Sequence, residues 1–364
     1  MNSDVILVIV VATALVFDFT NGFHDTANVV ATSISTRAMP PRVAVTMAAA
    51  LNFAGAFISL AVAATVAKDV VQADVVTPTV IFAGLIGAIA WNIATWALGL
   101  PSSSSHALIG GVVGSAFAAS GANAVIADGV LGKVLIPAVV APIVAFVAGG
   151  LAIAIIYRIV GRLSPGPVTR GFKLGQVASG GLLALAHGTN DAQKTMGIIT
   201  LTLVANGTIS ADSNVPTWVV IASATAIALG TYTGGWRIIK TMGTKIIKMD
   251  TAQGFTASGA GAAVILASSH FGFPLSTTQV INGGIMGAGA GKRVSAVRWG
   301  VAGNIVVAWL LTMPCAAVIG AAVYGITDLF GAGAAGPLVV SVAALLMLAA
   351  AFVRRAQQQT PVPG

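Results

Sequence analysis

The chain has 364 residues, 57% of them hydrophobic and 8% charged, with a net charge of +8. Its mean hydropathy is +0.94. A water-soluble chain of this length needs far more charge to cover its surface, so composition excludes the soluble classes and selects an integral membrane protein. The positive excess alone would suit a nucleic-acid binder, but its placement along the chain removes that reading.

The apolar runs are long rather than alternating, which predicts helices as the spanning elements and an all-α polytopic membrane fold. The first run, 5–33, lacks the basic stretch of a signal peptide and leads into a polar motif, so it reads as a retained span. Further apolar segments are expected at 42–67, 79–98, 102–120, 132–157, 175–204, 217–239, 254–270, 274–291, 298–325 and 334–353. Basic residues fill alternate connections: Arg37 and Arg42; Arg158, Arg162, Arg170 and Lys173; Arg237, Lys240, Lys245 and Lys248; Lys292, Arg293 and Arg298; Arg354 and Arg355. The positive-inside rule makes these loops cytoplasmic, with the N-terminus outside and the C-terminus inside the cytoplasmic (inner) membrane. Asp4, Asp69, Asp74, Asp128, Asp212 and Asp328 mark the opposite side. The net charge therefore records topology and calls for no nucleic-acid partner. Cys315 is the sole cysteine, so neither disulfides nor thiolate metal sites are expected.

The segments at 79–98 and 102–120 start and finish on one side, and those at 254–270 and 274–291 start and finish on the other. Each pair is either two full spans or a re-entrant hairpin. The count is then about nine full spans plus two hairpins. The first span and the span at 175 run in opposite directions, which predicts two inverted repeats. The expected division is a first repeat at 1–158, a cytoplasmic linker at 159–174, a second repeat at 175–325, and an extra span with a tail at 326–364. Residues carry the same message. Pro101-Ser-Ser-Ser-Ser-His106-Ala-Leu-Ile-Gly110-Gly111-Val-Val-Gly114 aligns without a gap to Pro274-Leu-Ser-Thr-Thr-Gln279-Val-Ile-Asn-Gly283-Gly284-Ile-Met-Gly287 at an offset of 173. Asn21-Gly22-Phe-His24-Asp25-Thr-Ala-Asn28 aligns to His187-Gly188-Thr-Asn190-Asp191-Ala-Gln193-Lys194 at an offset of 166.

Pro followed by Ser or Thr is a helix-start signature, because hydroxyls cap free N–H groups and Pro is tolerated where no N–H is needed. Here the starts fall between apolar segments, where broken backbone persists only if buried in protein or lining a cavity. A helix N-terminus carries about half a positive charge and favours anions, tetrahedral oxyanions among them. Ser103, Ser104 and Ser105 from one tip, and Ser276, Thr277, Thr278 and Gln279 from the other, are the candidate anion donors. Ordinary surface caps are the competing reading, and the duplication argues against it.

Asp18, Asn21, Asp25, Asn28 and Thr32 share one helix face, and His187, Asp191 and Lys194 repeat that spacing. Ionisable groups inside a membrane cost about 2.5–3.5 kcal/mol each and default to a transport or proton-relay role. A structural ion pair that holds helices together is the alternative, most strongly for Asp18. His24 and His106 could titrate near neutral pH, and a purely hydrogen-bonding role fits them equally. His270 reads as structural. Gly287-Ala-Gly289-Ala-Gly291-Lys292 lacks the spacing of a phosphate loop, and no Walker motif occurs, so ATP drive is not expected. The Gly pairs 110/114, 230/234 and 283/287 read as close helix packing.

These motifs resemble the inorganic phosphate transporter (PiT) family. Asn21–Asn28 and Gly188–Asp191 are similar to its duplicated signature, the two Ser/Thr tips are similar to its hairpins, and the likeness runs from Asn21 to about Asn304. The resemblance implies phosphate held by the tips, cations near the Asp/Asn motifs, an elevator-like cycle and a homodimer in a lipid bilayer. The cation-coupling set it implies is His24, Asp25, Asn28, Asn190, Asp191 and Lys194, with Asp25, Asn28 and Asp191 as candidate metal ligands. Sodium-coupled members read Asn-Asp-x-x-Asn in both copies. This chain has His24 in the first and ends the second in Gln193-Lys194, which is similar to the low-affinity bacterial permeases. That branch implies H+ rather than Na+ as the co-transported ion, and Mg2+ or another divalent ion carried with phosphate; no resident cofactor is implied. A doubly charged phosphate beside two aspartates demands a compensating cation in any case. A sulfate symporter of the same fold and an anion channel are the rivals. An enzyme is not expected, since no nucleophile–base pair or HExxH spacing occurs.

Overall fold

The computed structural model describes residues 2–72, 76–331 and 333–359. Asp74 and the side chains of Arg354 and Arg355, used above to assign sides, lie outside the described set. The regular elements among these residues are helices, apart from one isolated bridge between Val71 and Val125.

In chain order they are α1 (Asn2–Ser35), α2 (Pro41–Gly55), α3 (Ala61–Lys68), α4 (Pro78–Leu98), α5 (Ser104–Ser120), α6 (Ala127–Gly129), α7 (Ile136–Val160), α8 (Pro165–Ala205), α9 (Thr217–Thr233), α10 (Trp236–Lys240), α11 (Thr251–His270), α12 (Thr277–Lys292), α13 (Trp299–Asp328) and α14 (Ala335–Gln359). A wide-turn stretch, Val130–Leu135, joins α6 to α7 into one long element. Local chemistry sets the boundaries. Pro41, Pro78 and Pro165 stand in the first turns of α2, α4 and α8, where a missing N–H removes nothing. Asp250 and Gln253 form a reciprocal capping box at the start of α11. Gly99, at φ 68°, ends α4 in the left-handed region that Gly enters without strain.

Among the described residues, five helices are long and apolar enough to cross a membrane, or six when α9 and α10, bent by 59° at their break, count as one. Two of the expected single spans are broken. The run at 42–67 is α2 and α3 with a non-helical step between them, and the run at 217–239 is interrupted at Gly234, whose φ is 74°. Hydropathy averages over such a step and so misses it. The first break leaves helix N–H groups without partners, and α8 answers them. Gln193 Oε1 accepts from Val62 N at 2.9 Å and Ala63 N at 3.2 Å.

The packing of the two halves corresponds pair by pair. α5 and α4 pack on α13, as α12 and α11 pack on α7; α1 packs on α9, as α8 packs on α2. Glycine makes the last two crossings close. A Cβ on Gly22 would lie 2.2 Å from the Ile227 carbonyl oxygen, and one on its counterpart Gly188 would lie 2.1 Å from that of Asn52. Two apolar cores result. One holds Val10, Ala14 and Phe17 of α1 with Ala192 and Met196 of α8; the other holds Ala27 and Val30 of α1 with Leu183 and Ala186 of α8. The polar stretches 18–25 of α1 and 187–191 of α8 therefore lie between the cores. On the outside, α7 and α13 expose Val139, Ile143, Leu151, Leu310 and Val318, an apolar coat suited to lipid.

Candidate functional site

Both hairpin tips end where those polar stretches cross. Ser103 accepts from His106 N at 3.1 Å to start α5, and Ser276 accepts from Gln279 N at 3.3 Å to start α12. The next hydroxyls reach the aspartates. Ser104 donates to Asp25 Oδ1 at 3.2 Å, and its counterpart Thr277 donates to Asp191 Oδ2 at 3.1 Å. The third hydroxyls reach the last residue of each motif: Ser105 accepts from Lys194 Nζ at 2.5 Å, and Thr278 accepts from Asn28 Nδ2 at 2.9 Å. The tips also touch each other. Ser105 donates to the Leu275 carbonyl at 3.1 Å, and Gln279 Nε2 lies 3.4 Å from His106 Nδ1. The seven tip residues read from sequence as anion donors, and the six read as cation-coupling, are all buried.

The two aspartates are not equivalent. Lys194 uses all three of its donors internally, on Asp191 Oδ1, Ser105 and the Leu275 carbonyl. His187 Nε2 stands 3.1 Å from Asp191 Oδ2, and its Nδ1 faces Asn52 Oδ1 at 3.2 Å. Asp191 is thus ringed by fixed positive and polar groups. Asp25 Oδ1 instead meets His24 Nδ1 at 2.7 Å, with Ser104 and Thr278 at 3.2 and 3.4 Å. His24 Nε2 in turn faces Thr95 and Ser102 at 3.2 and 3.4 Å.

Of the residues expected to serve cations, Asn190 leaves its Oδ1 buried without a hydrogen-bond partner. Its amide donates to Ser269 Oγ at 2.9 Å and to the Phe273 carbonyl at 3.2 Å, which ties α8 to the first arm of the second hairpin. This matches what His24, its counterpart, does for the first hairpin. Asp25, His187 and Asp191 each present a ligand atom within 4.8 Å of the others, all buried, a group that could hold a metal ion, although both Asp191 oxygens are already bonded within the protein. Asn28 turns its amide nitrogen to Thr277 and Thr278. Sequence reading noted His187 only as part of the repeated spacing, and it passed over Thr95, Ser102 and the Leu275 carbonyl. Ser102 sits in the serine run already singled out. The carbonyl leaves no trace in side-chain identity.

The family model described as "Phosphate transporter family" matches residues 21–167 and 163–320. A Mycobacterium bovis protein, described as a probable low-affinity inorganic phosphate transporter, is 53% identical over 327 residues, covering 90% of this chain and 78% of its own length. Bearers of the same description from Rhizobium meliloti and Bacillus subtilis are 50% and 43% identical, each over 89% of this chain and 97% and 98% of their own. A solved structure titled "The sodium-dependent phosphate transporter" superposes with a TM-score of 0.80 at 25% identity, over 89% of this chain and 99% of that one. These relatives are transporters, not enzymes. With the signature motifs, the paired tips and a likeness over about nine-tenths of the chain in agreement, the chain is a member of the phosphate transporter family.

Proposed function

We propose that the chain is a secondary active symporter of inorganic phosphate in the cytoplasmic membrane, built as two inverted repeats with about nine spans and two re-entrant hairpins, the N-terminus outside and the C-terminus inside. One observation carries the reading. Two helix N-termini from opposite halves converge on a buried carboxylate pair and a buried ammonium. Free amide groups and hydroxyls at helix starts suit an oxyanion, while the aspartates suit the cation that must accompany it. The paired packing of the halves and the offset motifs support the inverted repeat. A homodimer is proposed with it.

Phosphate is held by Ser103, Ser104, Ser105, Ser276, Thr277, Thr278 and Gln279, and Asp25, Asn28, Asn190 and Asp191 organise the coupling cation. Lys194 acts as a built-in counter-charge. The solved relative is named for sodium dependence, but Lys194 holds Asp191 with an ammonium where an Asn would leave room for an ion. That difference favours H+ over Na+ here. It also suits a cargo that brings its own charge, such as a divalent metal–phosphate complex. Purified protein in liposomes, with pH and Na+ gradients imposed separately, tests the reading. Phosphate should accumulate under an inward proton gradient, and neither Asp25→Asn nor Asp191→Asn should accumulate it. Full uptake by both variants would remove the coupling role.

A sulfate carrier of the same fold is the second reading. Gln279 Oε1 and Asn282 Oδ1 are buried acceptors with no hydrogen-bond partner, and only a protonated oxyanion such as HPO4(2−) can donate to them. Uptake insensitive to excess sulfate is the expected result. Strong competition by sulfate would favour the rival.

A further inference from the structure

The polar face of α1 continues on the N-terminal side of the site, and there its side chains have no partners. Both carboxylate oxygens of Asp18, both amide atoms of Asn21, both amide atoms of Asn92, the Thr195 hydroxyl and the Ser223 hydroxyl are buried without a hydrogen bond. Asp18, Thr195 and Ser223 are fully shielded from solvent, and Asn21 and Asn92 are 1% exposed. Buried polar groups are nearly always satisfied, so five such residues at one level need an explanation.

Four helices bring them together. Thr195 of α8 and Asn21 stand next to Asp18 as donors facing its carboxylate, and neither closes a hydrogen bond of normal geometry to it. α9 runs parallel to α1 with Gly22 backed on the Ile227 carbonyl and Thr26 donating to the Thr231 carbonyl. The same register, one turn earlier on both helices, sets Ser223 opposite Asp18. α4 is also parallel to α1: Phe23 stacks on Trp96 with ring centroids 4.9 Å apart, His24 meets Thr95, and beyond them the Gly99 carbonyl accepts from Thr241, two residues before Gly243, which backs on the Ala31 carbonyl of α1. Asn92, three residues before Thr95, therefore comes to the level of Asn21, three residues before His24. Asp18 precedes Asp25 by seven residues, about 10 Å along the helix, and Thr195 follows Asp191 by one turn, so the cluster lies beside the Asp25–Asp191 centre, on its N-terminal side along α1.

We propose that Asp18, Asn21, Asn92, Thr195 and Ser223 form a second, all-oxygen site for a singly charged metal cation. The donors are a carboxylate, two amide carbonyls and two hydroxyls, with no nitrogen or sulfur ligand of the kind transition metals prefer. One carboxylate balances one positive charge. The charged groups that act on Asp18 are Asp191 and Lys194, which offset each other, so a divalent ion would leave an excess positive charge. A proton explains less, because it gives the carboxyl one donor and leaves two amide oxygens and two hydroxyls as they were. A hard cation with five or six oxygen ligands satisfies all of them at once.

The inference stands apart from the phosphate reading, and its test needs no phosphate. Full-length protein in lipid nanodiscs is unfolded thermally in NaCl and in choline chloride of equal ionic strength, with phosphate absent. Na+ should raise the midpoint of the native protein saturably and also that of Asp25→Asn. Asp18→Asn and Thr195→Val should weaken the apparent Na+ affinity at least about tenfold. In choline, Asp18→Asn should unfold at or above the native temperature, since it removes a buried uncompensated charge, and this also shows that the variant folds. The site is refuted if Na+ gives no shift, if the shift survives Asp18→Asn unchanged, if it vanishes with Asp25→Asn, or if only pH moves the midpoint. A parallel arm with phosphate separates the two readings: no response to phosphate there would count against the transport function and leave the Na+ result standing.

Discussion

The ammonium of Lys194 on α8 lies 2.5 Å from the hydroxyl of Ser105 at the start of α5, so the one fixed cation of the second motif is bound to the tip of the first hairpin. Asn28, its counterpart, reaches across in the opposite sense to Thr278. Each motif thus grips the hairpin of the other half through the same position, and only the charge differs.

Replacing Lys194 by Asn makes the second motif resemble the first. The change removes the partner of a buried carboxylate, a loss of about 3–5 kcal/mol when nothing takes its place. A sodium ion can take that place, so Lys194→Asn should acquire Na+-dependent stability and Na+-stimulated uptake. Thermal unfolding and liposome uptake with and without Na+ check this. Equal behaviour in Na+ and choline would contradict the counter-charge role.

Ser104 and Thr277 make equivalent bonds to Asp25 and Asp191. A hydrogen bond to a charged group contributes about 1.5–3 kcal/mol, so Ser104→Ala and Thr277→Val should each weaken phosphate binding roughly 10- to 100-fold. Isothermal titration of purified variants measures it. A large effect from one variant and none from the other would show that the tips are unequal.

Gln193 holds the N–H groups of Val62 and Ala63 at the start of α3. Gln193→Leu keeps the bulk and leaves both donors buried and unmet, at about 1–3 kcal/mol each. The melting temperature should fall, and hydrogen exchange should rise first at residues 61–64. Gln193→Glu, which keeps an acceptor, should recover much of the protection.

At the far end of α7, α11 and α12, Tyr157 donates to Asp250 Oδ2 at 2.5 Å and Lys292 donates to the same oxygen at 2.9 Å. Partial burial pushes the Asp250 carboxyl up, but the Tyr157 hydroxyl, the Gln253 amide and Lys292 outweigh it and hold it below its usual value. A carboxyl lowered in the folded state stabilises the protein above its unfolded pKa of about 4, and loses that contribution as pH falls through the folded value. Native protein should therefore lose stability on acidification below about pH 4 more steeply than Asp250→Asn. Parallel melting curves across that range would show it.

Much of this was legible in the chain. The Pro-Ser/Thr starts of α5 and α12 fall within a few residues of where they were expected, because capping is local chemistry written in side chains. The Asp25 and Asp191 stripes were readable from spacing alone. The breaks at residues 56–60 and at Gly234 were not, because an apolar run looks the same whether the backbone through it is helical or not. What identifies the first break is Gln193, about 130 residues away, acting as a remote cap. The partners of the Asn190 amide, Ser269 and the Phe273 carbonyl, were not legible either, since motif position fixes a residue's level on the helix and says nothing of which neighbour its amide meets.

Pairing Asp191 permanently with Lys194, while Asp25 has only a neighbouring imidazole, makes the two shape-matched halves electrically lopsided. On the proposed cycle, an empty carrier would return with one bare carboxylate to neutralise rather than two. Fewer travelling ions would then be required to reset it.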